Sequence, residues 1–173
     1  MTAMPKGIEI ERKYVIAMPD AAELSAEPSY TVSHITQTYL ESEEGLTHRV
    51  RERRFATHTQ RTETKKIRID RMSVHELERE ISEEEYNRLV KSIRQGTRPL
   101  KKTRHTFDYL GKTIEIDVYP GWTRTCIMET ELERRDEQVV FPPFIKIIKE
   151  VTGDRRYSNA EMAKEFPKEL PAD

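Results

Sequence analysis

The stretch Gly7-Ile8-Glu9-Ile10-Glu11-Arg12-Lys13-Tyr14-Val15-Ile16 decides the fold of this chain. Charged and apolar residues alternate along it, which is typical of a β-strand because successive strand side chains point to opposite faces. Glu9, Glu11 and Lys13 share one face, and four apolar or aromatic residues occupy the other. Because the apolar face must be the packed one, the charged face meets either bulk water or an internal polar cavity.

Length and composition indicate one domain, residues 1–173, with a mass of 20.4 kDa and room for a substantial core. Charged residues make up 35% of the chain, yet 30 basic and 31 acidic side chains leave a formal net charge of -1. This balance disfavours a nucleic-acid partner. Cys126 is the only cysteine, so no intramolecular disulfide can form. No signal peptide and no apolar run of roughly 20 residues is present, which predicts a cytoplasmic protein with no membrane partner.

Further elements follow from the alternation of apolar and polar residues. Strands are predicted over residues 30–40, 46–55, 61–70, 73–81, 100–109, 112–119 and 123–132. Helices are predicted as one turn within residues 17–29, after the capping box Ser82 to Glu85, and as two short helices in the tail from Pro142, around a turn at 151–154. The chain is therefore predicted to be α+β and mainly antiparallel β, with a sheet that suits closure into a barrel.

Most of the predicted strands repeat the division into a charged and an apolar face. The charged faces carry Arg49, Arg51 and Arg53; Thr62, Thr64, Lys66 and Arg68; Glu76, Glu78 and Glu80; Lys102 and Arg104; Glu115 and Asp117; and Glu129 and Glu131. A single strand of this kind usually has one solvated face whose ion pairs contribute little. Repetition across successive strands favours instead charged faces that converge on a polar interior.

A polar interior with both signs of charge suits a polyphosphate bound together with a divalent cation. Arginine and lysine neutralise phosphate oxygens, and paired carboxylates hold Mg²⁺ or Mn²⁺. Basic groups alone would bind an anion, and acidic groups alone would bind a metal. Both together permit metal-assisted phosphoryl chemistry.

The run Glu9-Ile10-Glu11-Arg12-Lys13 resembles the ExExK signature of the CYTH family. This family, also called triphosphate tunnel metalloenzymes, includes class IV adenylyl cyclases, thiamine triphosphatases and inorganic triphosphatases. The other motifs follow in the family's order: Gln37-Thr38-Tyr39-Leu40, Arg49-Val50-Arg51, Thr64-Lys65-Lys66, Glu76-Leu77-Glu78, Lys102-Thr103-Arg104, Glu115-Ile116-Asp117, Glu129-Thr130-Glu131 and the segment 151–159. The resemblance extends from about Ile8 to Asn159, nearly the whole chain.

The resemblance implies an eight-stranded antiparallel tunnel in which Lys13, Arg49, Arg51, Lys66, Lys102 and Arg104 bind a triphosphate. It also implies that Glu9, Glu11, Glu129 and Glu131 hold Mg²⁺ or Mn²⁺, with Glu9, Glu11 and Lys13 as the catalytic candidates. Glu76, Glu78, Glu115 and Asp117 are expected to line the tunnel, as further metal or water contacts or as partners that orient the basic groups. Val74 stands where the family often has an arginine, and Arg68 or Arg71 is a candidate substitute.

Metal-dependent hydrolysis of inorganic triphosphate is the first functional hypothesis, because a chain without an added domain favours the simplest substrate. The alternatives within the same architecture are a class IV-type adenylyl cyclase acting on ATP and a phosphatase of thiamine triphosphate or another organic triphosphate. A binding module for polyphosphate or nucleotide is the non-enzymatic alternative. The sequence leaves open the substrate, the metal, the number of ions and the oligomeric state, with a homodimer among the options.

Overall fold

The computed structural model describes residues 4–173, with side chains from Gly7 onwards. Its strands are β1 (Met4–Ala17), β2 (Thr31–Tyr39), β3 (Leu46–Arg54), β4 (Thr59–Arg68), β5 (Ser73–Glu80), β6 (Leu100–Tyr109), β7 (Lys112–Val118), β8 (Thr125–Leu132) and β9 (Ile147–Glu150). Its helices are α1 (Ala21–Ser25), α2 (Glu83–Leu89) and α3 (Asn159–Met162), with 3₁₀ turns at Val90–Ser92 and Arg155–Tyr157.

The strands form an antiparallel sheet in the order β5-β4-β3-β2-β6-β7-β8-β1-β9, and a further pairing of β5 with β1 closes it. Eight strands therefore make a barrel, and β9 is added outside the ring. The predicted antiparallel barrel with few helices is confirmed.

Strand β1 closes the barrel and changes its partner midway. One edge pairs with β8, while the other pairs first with β5 and then with β9. Between those two partners, the Glu11 amide donates to the Met72 carbonyl oxygen over 3.3 Å. The Lys13 amide donates to Thr152 Oγ1 over 3.0 Å. Along this edge of β1, the neighbour is therefore first β5, then the loop residues Met72 and Thr152 beside Glu11 and Lys13, and finally β9.

Apolar residues pack in three clusters that lie on different sides of the wall. The outer clusters contain Phe107, Ile116 and Met128 on one side, and Val50 with Tyr86 of α2 on the other. The remaining cluster lies on the inner face, because its members include Val15, Tyr119 and Ile127, which alternate in phase with the charged residues. Val151, Tyr157 and Met162 of the C-terminal segment join it. The C-terminal segment therefore packs into one end of the barrel.

The outer apolar face is covered only in part. Val50 and Ile116 are fully buried, as packing of the apolar face requires, whereas Ile67 is 51% and Leu77 37% exposed. Both exposed residues belong to neighbouring strands, β4 and β5.

Local signals for turns and caps are confirmed, and one prediction for the tail is wrong. The Ser82 side chain accepts a hydrogen bond from the Glu85 amide over 3.1 Å, which caps α2. Gly111 turns the β6–β7 hairpin with φ 79°. The predicted helix before residue 151 is instead β9, because β1 offers an open edge whose backbone groups pair with it. Among the described residues, no helix is long and apolar enough to cross a membrane.

Candidate functional site

The inside of the barrel forms a cavity of about 1400 Å³. All but one of the predicted site residues line it: Glu9, Glu11, Lys13, Arg49, Arg51, Lys66, Glu76, Glu78, Lys102, Arg104, Glu115, Glu129 and Glu131. Asp117 is the exception, since its side chain is 1% exposed and lies behind the cavity surface. The alternation of the strands therefore brings the predicted residues into one place.

Carboxylates crowd one side of the cavity, on β1, β5 and β8. We call this side the acidic wall: Glu9, Glu11, Glu76, Glu129 and Glu131. Burial, followed by the charge of Glu76, raises the pKa of Glu9 to about 7. The charge of Glu129, helped by burial, raises the pKa of Glu11. Glu9 and Glu11 are therefore harder to ionise than free carboxylates. Although burial opposes it, the charges of Lys66 and Lys13 lower the pKa values of Glu76 and Glu129 to about 2.

Two lysines already pair with members of the acidic wall. Lys13 Nζ lies 3.0 Å from Glu129 Oε1 and also donates to the Tyr157 carbonyl oxygen over 3.1 Å. Lys66 Nζ lies 2.9 Å from Glu76 Oε2, and its neighbour Lys65 points outward and is exposed, as the strand phase predicts. Each lysine therefore forms an ion pair with one member of the acidic wall.

Lys102 and Arg104 are held from behind by Asp117. Arg104 donates to both Asp117 carboxylate oxygens over 2.7 and 2.9 Å, and Lys102 Nζ lies 2.8 Å from Oδ2. Although burial opposes it, the charges of Arg104 and Lys102 hold the pKa of Asp117 well below its usual range. Arg104 also donates to Glu115 over 2.7 Å. Asp117 is therefore placed to orient Lys102 and Arg104. This is the alternative to a metal or water contact that the sequence left open.

Within residues 7–173, Arg49, Arg51 and Arg53 of β3 form no ion pair closer than 4.0 Å. Arg51 is 4.0 Å from Glu78, and burial, followed by the charge of Arg49, lowers the pKa of Arg51 to about 10. Arg49 Nε is buried and has no hydrogen-bond partner among the described residues. Arg53 also lines the cavity. The predicted binding set stops at Arg51, although the same alternation places Arg53 on the charged face.

Two arginines from the β4–β5 region surround the position of Val74. Arg68, Arg71 and Val74 all line the cavity. Arg71 Nε donates to the Thr152 carbonyl oxygen over 3.0 Å, which ties this loop to the C-terminal segment. The neighbouring Gly153 has φ +74°, and a Cβ atom there would lie 2.0 Å from Arg71 Cγ. The position of Arg71 therefore depends on a glycine at residue 153. The charge of Arg68 acts on Glu11, where it opposes the raising of the pKa by Glu129 and burial.

The acidic wall has the donor chemistry of a site for a hard divalent cation. No three Asp, Glu, His or Cys side chains within residues 7–173 converge closely enough to hold an ion in this arrangement. Carboxylate oxygens are nevertheless the ligands that Mg²⁺ and Mn²⁺ prefer. A bound cation would favour the ionised forms of Glu9 and Glu11, whose pKa values burial and neighbouring carboxylates raise.

Comparisons with known proteins lead to the same architecture. No protein-family model matches the chain. A stretch of 65 residues is 37% identical to an inorganic triphosphatase from Acetivibrio thermocellus, and it covers 38% of this chain and 41% of that protein. The crystal structure of the inorganic triphosphatase NE1496 superposes with a TM-score of 0.58 at 26% identity, over 92% of this chain and 97% of that one.

A further solved structure resembles the chain in fold alone. It is HpAC1 from Hippeastrum, described as having a dominant triphosphatase activity, with a TM-score of 0.51 and 14% identity over 72% of this chain and 80% of that one. The closed barrel, its charged interior and the two inorganic triphosphatases confirm the resemblance to the CYTH, or triphosphate tunnel, family that the sequence motifs indicate.

Proposed function

We propose that this chain is a divalent-metal-dependent hydrolase of inorganic triphosphate. The observation that carries the proposal is that one cavity is lined by the carboxylates of the acidic wall and by arginines of β3. Arg51 lies 4.0 Å from Glu78, and Arg49 Nε has no hydrogen-bond partner among the described residues. A ligand that satisfies both sets of side chains must bring a cation and an anion together. A metal triphosphate does so, and the relatives named inorganic triphosphatase support the same substrate.

The basic residues would bind the phosphate oxygens. Arg49 and Arg51 present planar guanidinium groups that can donate two parallel hydrogen bonds to one phosphate. Lys102 and Arg104 keep a fixed orientation because Asp117 binds them from behind. A fixed orientation is useful here, because donors that are already in place need no reorganisation when charge develops in the transition state.

Glu9, Glu11, Glu129 and Glu131 would hold the Mg²⁺ or Mn²⁺ ion. When bound, such a cation neutralises phosphate oxygens and lowers the pKa of water. The carboxylates also accept hydrogen bonds from the attacking water and orient it towards the terminal phosphorus. Attack forms one P–O bond and breaks the bond to the bridging oxygen, which releases phosphate, pyrophosphate and a proton.

The lining favours inorganic triphosphate over ATP or thiamine triphosphate. Tyr39 is the only aromatic residue among the described residues that line the cavity. Base and thiazole rings are commonly bound by stacking on aromatic side chains. A cavity with one aromatic ring and many charged groups offers little contact to the organic part of such substrates.

The test is product release from each triphosphate in turn, with Mg²⁺, with Mn²⁺ and with EDTA. We expect phosphate from inorganic triphosphate that depends on the metal, and at least a tenfold lower rate with ATP or thiamine triphosphate. Cyclic AMP from ATP would replace the proposal by the cyclase alternative. Binding of triphosphate that persists in EDTA, with no turnover under any condition, would make the chain a binding module.

A further inference from the structure

We infer that Asn159 is a positioning residue for Lys102, and that residues 157–159, which we call the C-terminal turn, give two lysines of the cavity a neutral second acceptor. The inference rests on the proposed function, because both lysines belong to the predicted triphosphate-binding set. Asn159 lies outside that set, at the first residue of α3.

The ammonium group of Lys102 is held by two acceptors. Its Nζ lies 2.8 Å from Asp117 Oδ2 and donates to Asn159 Oδ1 over 3.4 Å. The Lys102 side chain is 1% exposed, so that water competes little for its donors. An ammonium has three N–H donors, and two acceptors leave one donor for a ligand in the cavity. Asn159 therefore restricts the direction in which that remaining donor points.

The amide oxygen of Asn159 is itself fixed by the barrel wall. The Tyr119 hydroxyl donates to Asn159 Oδ1 over 2.8 Å, and Tyr119 is only 1% exposed. A carbonyl oxygen has two lone pairs, and the hydrogen bonds from Tyr119 and Lys102 occupy both. Tyr119 also packs in the inner apolar cluster together with Tyr157 of the C-terminal turn. The acceptor that Asn159 presents to Lys102 is therefore held in place by a buried residue of the wall.

Lys13 is held by the same part of the chain. Its amide donates to Thr152 Oγ1 over 3.0 Å, and its carbonyl oxygen accepts from the Val151 amide over 2.8 Å. Its Nζ lies 3.0 Å from Glu129 Oε1 and donates to the Tyr157 carbonyl oxygen over 3.1 Å. Lys13, like Lys102, thus has one carboxylate partner and one neutral acceptor on the C-terminal turn. Packing of the C-terminal segment into the barrel and the orientation of both lysines are therefore linked.

The neutrality of the second acceptor matters for binding an anion. An uncharged oxygen fixes the direction of an ammonium group without adding a negative charge beside it. A carboxylate at position 159 would lie within hydrogen-bond distance of Lys102 and weaken its attraction for phosphate. Asn159 therefore supplies orientation while it leaves the charge of Lys102 to the ligand.

The experiment is a double-mutant cycle of Asn159→Ala and Lys102→Gln in the full chain, with inorganic triphosphate and Mg²⁺. Asn159→Ala should lower kcat/KM by about tenfold, as expected for the loss of one hydrogen bond to a charged group. In the Lys102→Gln background, the same substitution should change kcat/KM by less than about twofold, because the group that Asn159 orients is gone. Equal effects in the two backgrounds overturn the inference.

Ser158→Ala is the matched control, because it removes a hydrogen bond of the same turn that involves no lysine. Ser158 Oγ accepts from the Glu161 amide over 3.2 Å and caps α3, so that its loss should lower the melting temperature. It should keep kcat/KM for triphosphate within about twofold of the wild type. A folded Ser158→Ala enzyme that loses as much activity as Asn159→Ala would show that any loosening of the turn suffices, which overturns the inference.

Asn159→Asp provides the test if Asn159→Ala does not fold, which melting curves show. Aspartate keeps the acceptor for the Tyr119 hydroxyl, so that a structural role of residue 159 is preserved, but it places a negative charge beside Lys102. The KM for triphosphate should rise by about tenfold, and this rise should shrink to about threefold or less in the Lys102→Gln background. A folded Asn159→Asp enzyme with the wild-type KM overturns the inference.

Failure of the proposed function would be recognised separately. If the wild type releases no phosphate from triphosphate, the hydrolase proposal fails, and calorimetric titration with inorganic triphosphate in EDTA then decides the inference by itself. Affinity that falls about tenfold in Asn159→Asp and not in Ser158→Ala supports the positioning role. Equal affinities in the two variants, or no binding by the wild type, overturn it.

Discussion

Glu63 on the outer face of the barrel wall and Glu11 on its inner face are two carboxylates whose pKa values shift in opposite directions. On the outer face, Glu63 accepts from Arg79 Nε over 2.6 Å and lies 2.8 Å from His48 Nε2. Although burial opposes it, His48 and Arg79 lower the pKa of Glu63. On the inner face, Glu129 and burial raise the pKa of Glu11. Glu63 is therefore neutralised by its neighbours across the strands. The inner face also has ion pairs, such as Lys13 with Glu129, but Glu11 is repelled by Glu129.

The largest expected effect comes from removing one inner charge. Glu11→Gln should lower kcat for triphosphate by about 100-fold or more at saturating Mg²⁺, because the variant loses a cation ligand and an acceptor for the attacking water. The melting temperature should not fall, since the carboxylate is repelled by Glu129 in the absence of metal. Steady-state kinetics and melting curves measure the two quantities.

Glu63→Gln is the matched control for this substitution, because it makes the same chemical change on the outer face. It should leave kcat for triphosphate within about twofold of the wild type, as expected for a change away from the cavity. A Glu11→Gln enzyme with wild-type turnover at saturating Mg²⁺ would remove Glu11 from the catalytic set.

The next effect concerns the arginines that face the acidic wall. Arg49→Gln should lower kcat/KM for triphosphate by about 10-fold to 100-fold, since a buried guanidinium with an unpartnered Nε loses its phosphate contact. Arg49→Lys should restore part of the loss, because it keeps the charge without the planar fork. If both variants had the wild-type kcat/KM for triphosphate, Arg49 would not be a substrate-binding residue.

Much of the fold and of the cavity lining follows from strand alternation. Glu9, Glu11 and Lys13 mark the charged face of β1, and the charged faces of the other strands follow from the same alternation. Nearly every residue predicted in this way lines the cavity. The pairing of Arg104 with Asp117 follows from the β6–β7 register, which the turn at Leu110 and Gly111 fixes. That pairing was therefore within reach of the sequence, although only the structure shows how fully Asp117 is buried.

Other features depend on the assembled barrel and leave no local signal. Strand β9 forms because β5 pairs with only part of one edge of β1, and this open edge exists only once the barrel has closed. The contact between Arg71 and Thr152 joins residues that are far apart in the chain. Periodicity cannot predict such contacts, because it reports on the faces of a strand and not on the neighbours of its edges.

A smaller effect, on stability, should come from the outer network. Glu63→Gln should lower the free energy of unfolding by about 1–3 kcal/mol, because it replaces charge-assisted hydrogen bonds with His48 and Arg79 by weaker neutral ones. Arg79 also donates to Glu85 of α2 over 2.5 Å, so the loss loosens the contact between β5 and that helix. Urea unfolding measures the change, and an unchanged midpoint would show that the network does not stabilise the fold.

The smallest effect is the pH dependence of stability, and it distinguishes the two faces by sign. The lowered pKa of Glu63 contributes stability that is present above its ordinary pKa of 4.5 and is lost as the pH falls through the folded-state pKa. The raised pKa of Glu11 acts in the opposite direction, so that stability falls as the pH rises above 4.5. Each group can change the slope by at most about 1.4 kcal/mol per pH unit.

Urea unfolding of the two variants in EDTA across this pH range tests both signs at once. Glu63→Gln should lose less stability than the wild type on the acid side, and Glu11→Gln should lose less on the neutral side. Divalent cations should remove the neutral-side difference, because they neutralise the acidic wall and bind only the folded chain. If both variants changed the free energy of unfolding on the same side of the pH range, the pKa values of Glu11 and Glu63 would not shift in opposite directions.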